Sequence, residues 1–377
     1  MQGRPLTIMN LVSDTGYGGA DRLALDLCAR LGLLGHRVIW GCPSQYHLRD
    51  EADAAGLEIH TLDFSGNMDM TPLPAFMRFC KDEKIDIVNV HHSHGRHMLV
   101  AARLLGLKAK AVFTRHCISG SAPFVGALFY NLMLDMNIAV SNTVRKSLLD
   151  GGIWPRKVIT VYGGVDIENF ENVPTDKVRW FREKYARSGT FNIGIVARLG
   201  LYKGFRTDKP TLKRHEVFFK AIAVLGRDCN LLVLGTVGEK DIRSLKVIAQ
   251  NNGLDTDKIT FCGFQDDMAP FYQIMDLNVL PSPNEGLGLA IIEAMAAGVP
   301  CIGADSGGIR EIITDGLDGY LFRSGNSEDL AEKIRIIMEN KGIRDRFIAR
   351  GKEKVRDLFA IDKMVRETEK LFYDLLD

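Results

Sequence analysis

The chain has 377 residues, in which 48 lysines and arginines face 47 aspartates and glutamates, for a formal net charge of +1 at pH 7. This balance argues against a nucleic-acid-binding protein that depends on a broad positive field. Hydrophobic residues make up 46% of the chain and charged residues 25%, as in a soluble globular protein, and the length predicts two domains. No apolar run approaches the roughly 20 residues needed to cross a bilayer.

The cysteines and the first residues indicate a cytoplasmic protein. No cysteine belongs to a Cys-x-x-Cys pair and most lie in apolar segments, so we predict reduced core residues rather than disulfides. Residues 1–12 predict a short strand rather than a signal peptide, because polar Ser13 and Asp14 end the apolar run at once. The cysteines are Cys28, Cys42, Cys80, Cys117, Cys229, Cys262 and Cys301.

Short β-branched strands alternate with longer helices, a pattern that predicts α/β domains with parallel sheets and crossover helices. In the first half the predicted strands are residues 6–12, 37–41, 58–62, 87–91, 111–114, 136–139 and 158–161. The main predicted helices there are residues 20–34, 73–84 and 95–105. The segment 124–134 is mostly apolar, and we favour a buried helix over a lipid-facing one.

The alternation begins again in the second half of the chain. Predicted strands are residues 192–197, 230–234, 259–261, 277–280 and 300–302, with a helix at 216–225. Polar residues surround a single apolar helix face in 166–189, so we place the domain boundary near Val173 and Pro174. This predicts Rossmann-like domains at 1–172 and 173–357, followed by an amphipathic helix within 358–377.

The residues from Asn284 to Gly308 carry the strongest chemical signal. Glu285 opens a glycine-punctuated turn, and Glu293 follows eight positions later inside a helix of small residues. Gly286 and Gly288 leave room for a ligand beside the backbone, and the first turn of the helix favours a phosphate. Two carboxylates beside such a site suit a ligand with hydroxyls on both sides of a diphosphate, as in a nucleotide-sugar.

The run from Glu285 to Glu293 resembles the Glu-x7-Glu signature of the family-four retaining glycosyltransferases, also called glycosyl transferases group 1. That resemblance implies the GT-B fold, in which two Rossmann-like domains face each other across a deep interdomain cleft. It implies that Glu285 contacts the donor sugar and Glu293 the ribose. It also implies that the last helix returns to the first domain. Substrate-binding positions in the same motif are Gly286, Leu287, Gly288 and Leu289.

A glycine loop, Gly16-Tyr-Gly-Gly-Ala-Asp21, follows the first strand and opens the first long helix. It departs from the dinucleotide pattern Gly-x-Gly-x-x-Gly, because residue 21 is Asp. It resembles the Gly-Gly-Ala-Glu loop of the family, with Asp21 in place of Glu. The resemblance implies that Gly18 and Gly19 line the cleft near the transferred phosphate.

Basic residues follow the strand at 192–197. Arg198 resembles the arginine of the family's Gly-Arg-Leu segment, with Ala197 in place of Gly. Two lysines are candidates for the lysine that follows it in the family: Lys203 has the usual short spacing, whereas Lys213 is in better register with the next helix. We favour Lys213 and keep Lys203 open. An Arg and a Lys there would neutralise a departing diphosphate without a metal.

Histidines are concentrated at residues 91–97, and His116 lies further along the chain. We predict no metal site, because adjacent side chains on a strand end point to opposite faces and no Asp, Glu or Cys set accompanies them. His116 follows the predicted strand 111–114 and resembles the family's cleft histidine, close to the transferred sugar.

Two further segments resemble parts of the donor site. Gly263 and Phe264 resemble the family segment whose backbone cradles the nucleobase, although a plain strand followed by a turn reads the same way. Ser306, Gly307, Gly308 and Glu311 resemble the end of the C-terminal motif.

The resemblance implies a hexosyltransferase-type enzyme that is retaining and uses no cofactor and no metal. UDP-glucose, UDP-N-acetylglucosamine and GDP-mannose fit the motifs equally well as donors. Family habit implies a glycan or glycolipid acceptor of the bacterial envelope, in lipopolysaccharide, capsule or exopolysaccharide synthesis, with peripheral contact at the cytoplasmic face of the inner membrane. A GT-B sugar-nucleotide epimerase and a non-catalytic nucleotide-sugar-binding protein stay open. A nicotinamide dehydrogenase is poorly supported, since the dinucleotide fingerprint is incomplete.

Overall fold

The computed structural model describes residues 4–13, 18–66, 68–118, 124–199, 211–236 and 238–377, with only the backbone at 124 and 125. These residues form two compact units. Unit 1 comprises Met1–Gly164 and Ile361–Asp377, and unit 2 comprises Val165–Ala360. The chain therefore changes unit at Gly164–Val165, before the boundary that the sequence analysis placed near residue 173.

Unit 1 is built on a seven-stranded sheet in the order β3-β2-β1-β4-β5-β6-β7, with every described pairing parallel. Its strands are β1 (Thr7–Leu11), β2 (Arg37–Cys42), β3 (Glu58–Thr61), β4 (Ile87–Val90), β5 (Lys110–Arg115), β6 (Met136–Ala139) and β7 (Val158–Thr160). Its helices are α1 (Gly19–Leu33), α2 (Arg49–Ala54), α3 (Leu73–Asp82), α4 (Ser93–Leu104), α5 (Phe124–Met133), α6 (Asn142–Asp150) and, after unit 2, α16 (Ile361–Leu376).

The last helix completes the core of unit 1. α16 packs against α1 and buries Met364, Leu371 and Phe372 from its apolar stripe. Buried His36 joins it to the sheet: its Nδ1 accepts from the Leu6 N–H at 3.1 Å, and its Nε2 lies 3.0 Å from Glu369 Oε1. Unit 1 thus depends on chain segments from both sides of unit 2.

Unit 2 is built on a six-stranded sheet in the order β10-β9-β8-β11-β12-β13, also parallel in every described pairing. Its strands are β8 (Phe191–Val196), β9 (Cys229–Leu234), β10 (Ile259–Gly263), β11 (Leu277–Leu280), β12 (Cys301–Ala304) and β13 (Tyr320–Phe322). Its helices are α7 (Ile167–Glu171), α8 (Thr175–Tyr185), α9 (His215–Leu225), α10 (Glu239–Asn251), α11 (Ala269–Tyr272), α12 (Leu289–Ala296), α13 (Ile309–Ile312), α14 (Ser327–Glu339) and α15 (Lys341–Leu358).

The strand order reverses at the first strand of each sheet. In unit 1, β1 lies between β2 and β4, and in unit 2, β8 lies between β9 and β11. Connections leave such a point in opposite directions, so a crevice forms beyond the carboxyl ends of the strands, where open α/β sheets bind ligands. The sequence places Arg198 just after β8 and Glu285 just after β11, both at this edge of unit 2.

The apolar helix α5 is not fully buried, contrary to the sequence-based preference. It buries Ala127 and Asn131 on one face and exposes Leu128, Phe129 and Leu132 on the other, at 43%, 43% and 52%. A helix that packs on one side only leaves its opposite residues in solvent, however apolar they are. None of the described helices combines the length and apolar character that a bilayer crossing requires.

The cysteine prediction holds for six of the seven residues, which are buried with free thiols. Cys117 is the exception and is exposed, because it lies two residues beyond the end of β5. Burial raises the pKa of Cys80 and of Cys262 to about 12, so these thiols stay protonated at neutral pH.

Candidate active site

A lysine and a glutamate from distant segments meet in unit 2. Lys213 Nζ donates to Glu285 Oε1 at 2.5 Å, with the two side chains 29% and 16% exposed. The turn that carries Lys213 is tightly held: the Thr211 hydroxyl donates to Glu216 at 2.9 Å and accepts from the His215 N–H at 2.9 Å. The ammonium of Lys213 is therefore presented from a fixed turn at the start of α9.

The loop that carries Glu285 is fastened to the second diglycine turn. The Gly308 N–H donates to the carbonyl oxygen of Glu285 at 2.9 Å, and the Ser306 hydroxyl donates to the Pro283 carbonyl. The backbones approach so closely that a Cβ on Gly308 would lie 2.2 Å from the carbonyl oxygen of Gly286. Glycine is required at residue 308 for this contact, and the contact fixes the direction in which Glu285 leaves the loop.

The substrate-binding residues predicted around Glu285 lie at the entry to α12. Gly288 precedes the helix with φ +105°, a backbone conformation open to glycine, and its carbonyl accepts from the Ile291 N–H at 2.9 Å. Leu287 is buried, so its backbone is the part that a ligand would meet. Leu289 is half-buried and begins the helix.

The second carboxylate of the motif has a buried partner that the sequence analysis missed. Tyr272, on α11, is fully buried and its hydroxyl donates to Glu293 Oε2 at 2.8 Å. Burial, with the nearby Glu293 charge, raises the pKa of Tyr272 well above its usual value, so the hydroxyl remains a donor. No motif marks Tyr272, because a single tyrosine in a short apolar helix has many structural explanations.

Three strand ends converge beside Arg198. Gly235, after β9, has φ +97°, and its N–H donates to the Gly263 carbonyl at 2.9 Å. A Cβ on Gly235 would lie 2.7 Å from the Ala197 carbonyl oxygen, so the ends of β8 and β9 touch. Arg198 follows and is exposed; within the described residues its side chain has no recorded hydrogen bond or ion pair. Lys203 lies outside the described residues.

The sequence analysis also missed two hydroxyl groups at the same edge of unit 2. Thr236, after β9, and Ser282, after β11, are buried, and neither hydroxyl oxygen has a hydrogen-bond partner in the described parts of the chain. Because buried polar groups are normally paired, these two mark the edge as a place where a polar ligand would be stabilised. Phe264 lies nearby in sequence, one residue after β10, and is half-buried.

The glycine loop of unit 1 is described from Gly18 onward. Gly18 is the N-cap of α1, which begins at Gly19, and its N–H donates to Asp21 at 3.2 Å. Asp21 also accepts from the Tyr46 hydroxyl at 2.6 Å and lies 3.4 Å from His92 Nε2. The Asp21 carboxylate therefore closes a buried network, whereas Gly18 is half-buried and Gly19, the first residue of the helix, is exposed.

His116 meets a second histidine beyond the end of β5. Its Nε2 lies 3.0 Å from Nδ1 of His91, whose Nε2 lies 3.1 Å from Asn10 Oδ1. Asn10 and Asn89 pair in turn, and Thr114 donates to Asn89 at 2.8 Å. Burial lowers the pKa of His116 to about 3 and that of His91 well below its usual value, so both rings are neutral at pH 7.

Each unit therefore brings part of the predicted site together. Unit 2 joins Lys213 to Glu285 and places Arg198, Gly263 and the start of α12 at its carboxyl edge. Unit 1 places Gly18 and His116 at its own carboxyl edge. Across the residues that the structure describes, no three His, Cys, Asp or Glu side chains are grouped so as to hold a metal ion.

Comparisons with known proteins match both units of the chain to glycosyltransferase families. The family described as Glycosyltransferase Family 4 matches residues 17–169, and the family described as Glycosyl transferases group 1 matches residues 208–354. The two matches together include every predicted site residue except Arg198 and Lys203.

Three curated relatives are similar over most of their length. The chain is 35% identical to uncharacterized glycosyltransferase MJ1178 of Methanocaldococcus jannaschii over 307 residues, 79% of this chain and 78% of the relative. It is 28% identical to N-acetyl-alpha-D-glucosaminyl L-malate synthase of Bacillus anthracis over 304 residues, 78% and 76% of the two chains. It is 26% identical to the capsular polysaccharide biosynthesis glycosyltransferase CapM of Staphylococcus aureus over 251 residues, 63% and 61%.

A solved structure shares the fold. Anabaena Alr3699/HepE, determined in complex with UDP-glucose, superposes with a TM-score of 0.83 at 17% sequence identity, over 98% of this chain and 100% of that one. At this identity the likeness concerns the fold, which is GT-B.

Proposed function

The chain belongs to the glycosyl transferases of group 1, and from that premise we propose that it moves a sugar from a nucleoside-diphosphate sugar to an acceptor hydroxyl. We propose further that the configuration at the anomeric carbon is retained. Glycosyl transfer is common to the whole family, whereas the donor and the stereochemistry are specific to the site. Both depend on the residues at the carboxyl edge of unit 2.

The pairing of Lys213 with Glu285 is the observation that carries this proposal. A cation and a carboxylate stand 2.5 Å apart where the strand order of unit 2 reverses. A diphosphate that enters beside Lys213 competes with Glu285 for the ammonium, and the released carboxylate is then able to accept hydrogen bonds from sugar hydroxyls. One ion pair thus supports both a diphosphate and a sugar at neighbouring positions.

The second carboxylate supports a nucleotide donor. Glu293 lies in the second turn of α12, and the Tyr272 hydroxyl fixes one of its oxygens at 2.8 Å. The Glu293 carboxylate is suited to accept hydrogen bonds from the hydroxyls of a ribose. The N-terminal end of α12 favours the diphosphate between ribose and sugar. The neighbour Alr3699/HepE was determined with UDP-glucose, which makes a uridine donor the first to test.

The transfer needs no nucleophile from the protein. The bond between the anomeric carbon and the β-phosphate oxygen breaks, and a bond from that carbon to the acceptor oxygen forms on the same face. The departing phosphate takes up the proton of the acceptor hydroxyl. Arg198 and Lys213 stabilise the charge that develops on the phosphate, and His116 contacts the sugar as a neutral ring.

We assign the acceptor to unit 1 and to the cell envelope. CapM, named for capsular polysaccharide biosynthesis, supports a glycan acceptor, whereas the N-acetyl-alpha-D-glucosaminyl L-malate synthase of Bacillus anthracis is named for a small product. An envelope acceptor implies that the enzyme acts at the cytoplasmic face of the membrane. The exposed residues Leu128, Phe129 and Leu132 of α5 provide an apolar surface for contact with the lipid.

The donor is tested by thermal unfolding with UDP-, GDP- and ADP-sugars, each in magnesium and in EDTA. We expect one nucleotide class to raise Tm equally in both, because two cations take the role of a metal. Glu293→Gln should abolish the shift, and Glu332→Gln, an exposed carboxylate on α14, should leave it intact. Absence of any shift, or a strict need for magnesium, would contradict the proposal.

The reaction is tested by NMR of the product. An α-linked donor should give an α-linked product only when an acceptor is present. Consumption of the donor without an acceptor would identify an epimerase, and binding without turnover across an acceptor panel would identify a sensor.

A further inference from the structure

Unit 1 contains two arginines that share one aromatic ring. The guanidinium carbon of Arg96, on α4, lies 5.0 Å from the ring centroid of Phe113, and that of Arg115 lies 5.9 Å from the same centroid. Arg96 is also 4.2 Å from the ring centroid of Tyr130 on α5. Two like charges thus lie around one ring at the carboxyl end of β5, and the charge of Arg115 acts on Arg96.

No carboxylate among the described residues neutralises this pair. Neither Arg96 nor Arg115 takes part in a recorded ion pair, whereas Arg103, about two turns along the same α4, pairs with Asp135 at 3.4 Å. The only polar contact of the Arg96 guanidinium recorded there is His97 Nε2, at 3.4 Å. Arg115 Nε donates to the Cys117 carbonyl at 2.9 Å.

One donor of Arg96 is left without a partner. Its Nε has no exposed surface and no hydrogen-bond acceptor among the described residues. A buried charged donor without an acceptor is costly, and proteins rarely keep one unless a partner completes it. Burial, followed by the effect of Arg115, lowers the pKa of Arg96, while the guanidinium remains charged at neutral pH.

The position of the pair separates it from the residues already assigned to the donor. Phe113 and Arg115 alternate along the chain with Thr114 and His116, so the two pairs point to opposite sides of the sheet. Phe113 contacts Arg96 of α4 and Arg115, whereas Thr114 and His116 line a cavity together with residues of α1 and α16. Lys213, Glu285 and Glu293 belong to unit 2.

We propose that Arg96 and Arg115 form a subsite for an oxyanion, a phosphate or carboxylate group carried by the acceptor. The guanidinium fork matches either group with two parallel hydrogen bonds, and the aromatic rings hold the fork in place. The acceptor role depends on the transferase function proposed above, whereas the anion site itself does not. The proposal makes the acceptor an acidic sugar, a phosphorylated lipid or a hydroxy acid rather than a neutral glycan.

A purely structural explanation of Arg96 makes different predictions. If the arginine serves only to stack on Phe113 and Tyr130, then Arg96→Met should lower Tm, and anions should act on the variant as on the wild type. If it binds an anion, removal of a buried, unpaired charge should leave Tm unchanged or raise it. The response to anions should then disappear.

Anion binding is measured on the full chain by thermal unfolding at constant ionic strength, with sodium chloride replaced by inorganic phosphate or by succinate. We expect a saturable rise in Tm with phosphate, with succinate or with both, which tells the two oxyanions apart. Arg96→Met and Arg115→Gln should each lose the rise. Lys146→Gln, which removes an exposed charge on α6, should keep it.

Two variants of unit 2 separate this subsite from the donor site. The rise should persist in Lys213→Met and Glu293→Gln, which remove donor contacts, and nucleotide-sugars should still stabilise Arg96→Met. Loss of the nucleotide-sugar shift in Arg96→Met, or of the phosphate shift in Lys213→Met, would place the anion in the donor site and overturn the proposal. If neither anion raises the Tm of the wild-type protein, the proposal is overturned as well.

Turnover gives the second readout. With acceptors that differ only in one phosphate or carboxylate, Arg115→Gln should reduce the preference in kcat/KM for the charged acceptor by about 10- to 100-fold, the usual effect of a hydrogen bond to a charged group. An unchanged preference would contradict the acceptor role even if the anion shift is present.

Discussion

Lys213 Nζ lies 2.5 Å from Glu285 Oε1 across 72 positions of sequence, with both side chains largely shielded from water. Ion pairs in full solvent contribute little, but shielding strengthens a pair and holds both groups in one geometry. The lysine and the glutamate thus act on a ligand as one preorganised unit.

Lys213→Met should lower kcat by about 100-fold or more, because the leaving diphosphate loses a cation placed for its developing charge. Steady-state kinetics with a saturating donor measures the effect. Lys220→Met on α9 is the matched control, because Lys220 pairs with Glu328 at 3.3 Å on the exposed surface. A variant that unfolds earlier but keeps its kcat would show that the pair has only a structural role.

Tyr272→Phe should lower stability by about 1.5–3 kcal/mol, the contribution of a hydrogen bond to a charged group, and weaken binding of the nucleotide-sugar. The reason is that Glu293 loses the donor that fixes its carboxylate. Thermal unfolding with and without donor measures both effects. Tyr320→Phe removes a hydroxyl with no recorded hydrogen bond among the described residues and should change neither quantity. Equal effects of the two substitutions would argue against a role for Tyr272 in the site.

Gly308→Ala should abolish the donor-induced shift and lower stability, by about 1–3 kcal/mol as for other overpacked sites. Its Cβ would meet the Gly286 carbonyl oxygen at 2.2 Å, so the loop that carries Glu285 must move. Gly32→Ala is the contrast, because a Cβ there meets nothing within 4 Å inside α1. It should raise stability by about 0.5–1 kcal/mol. Normal donor binding by Gly308→Ala would mean that the loop position is not critical.

The buried histidines should make unit 1 sensitive to acid. Below pH 6.5 the unfolded chain takes up protons that folded His116, with its pKa of about 3, does not, so stability falls as the pH decreases. For His116 alone the loss between pH 7 and pH 5 amounts to up to about 2 kcal/mol. Tm measured over this range should fall less in His116→Gln than in the wild type. Identical pH dependence of the two proteins would show that the pKa of His116 is the same in the folded and the unfolded chain, contrary to this prediction.

The fold could be read from the sequence because strands and helices follow local patterns. Residues 136–139 and 277–280 were predicted with the bounds that the structure has, since each is a short, mainly apolar run that begins directly after an aspartate. β13 (Tyr320–Phe322), a three-residue edge strand, was not predicted. Exposed Cys117 and the half-exposed helix α5 were assigned wrongly, because composition gives no information about which side packs.

The candidate site could be read only in part. The Glu285–Glu293 spacing and the register of Lys213 are local features, and the structure brings Lys213 to Glu285. Lys203 stays a prediction outside the described residues. The contacts of Tyr272, His91 and Arg96 depend on strand order and helix packing, which a single sequence does not reveal.

The division of unit 1 around unit 2 affects how the protein is made. α16 supplies part of the core of unit 1, yet the ribosome synthesises it after all of Val165–Ala360. Domains generally fold as units during synthesis, the N-terminal one first. Here synthesis of unit 2 begins after that of unit 1, yet unit 2 is complete before unit 1 is. The residues up to Gly164 must wait, with the groove for α16 uncovered, until Ile361–Leu376 leaves the exit tunnel. During that interval the nascent chain is a natural client for chaperones.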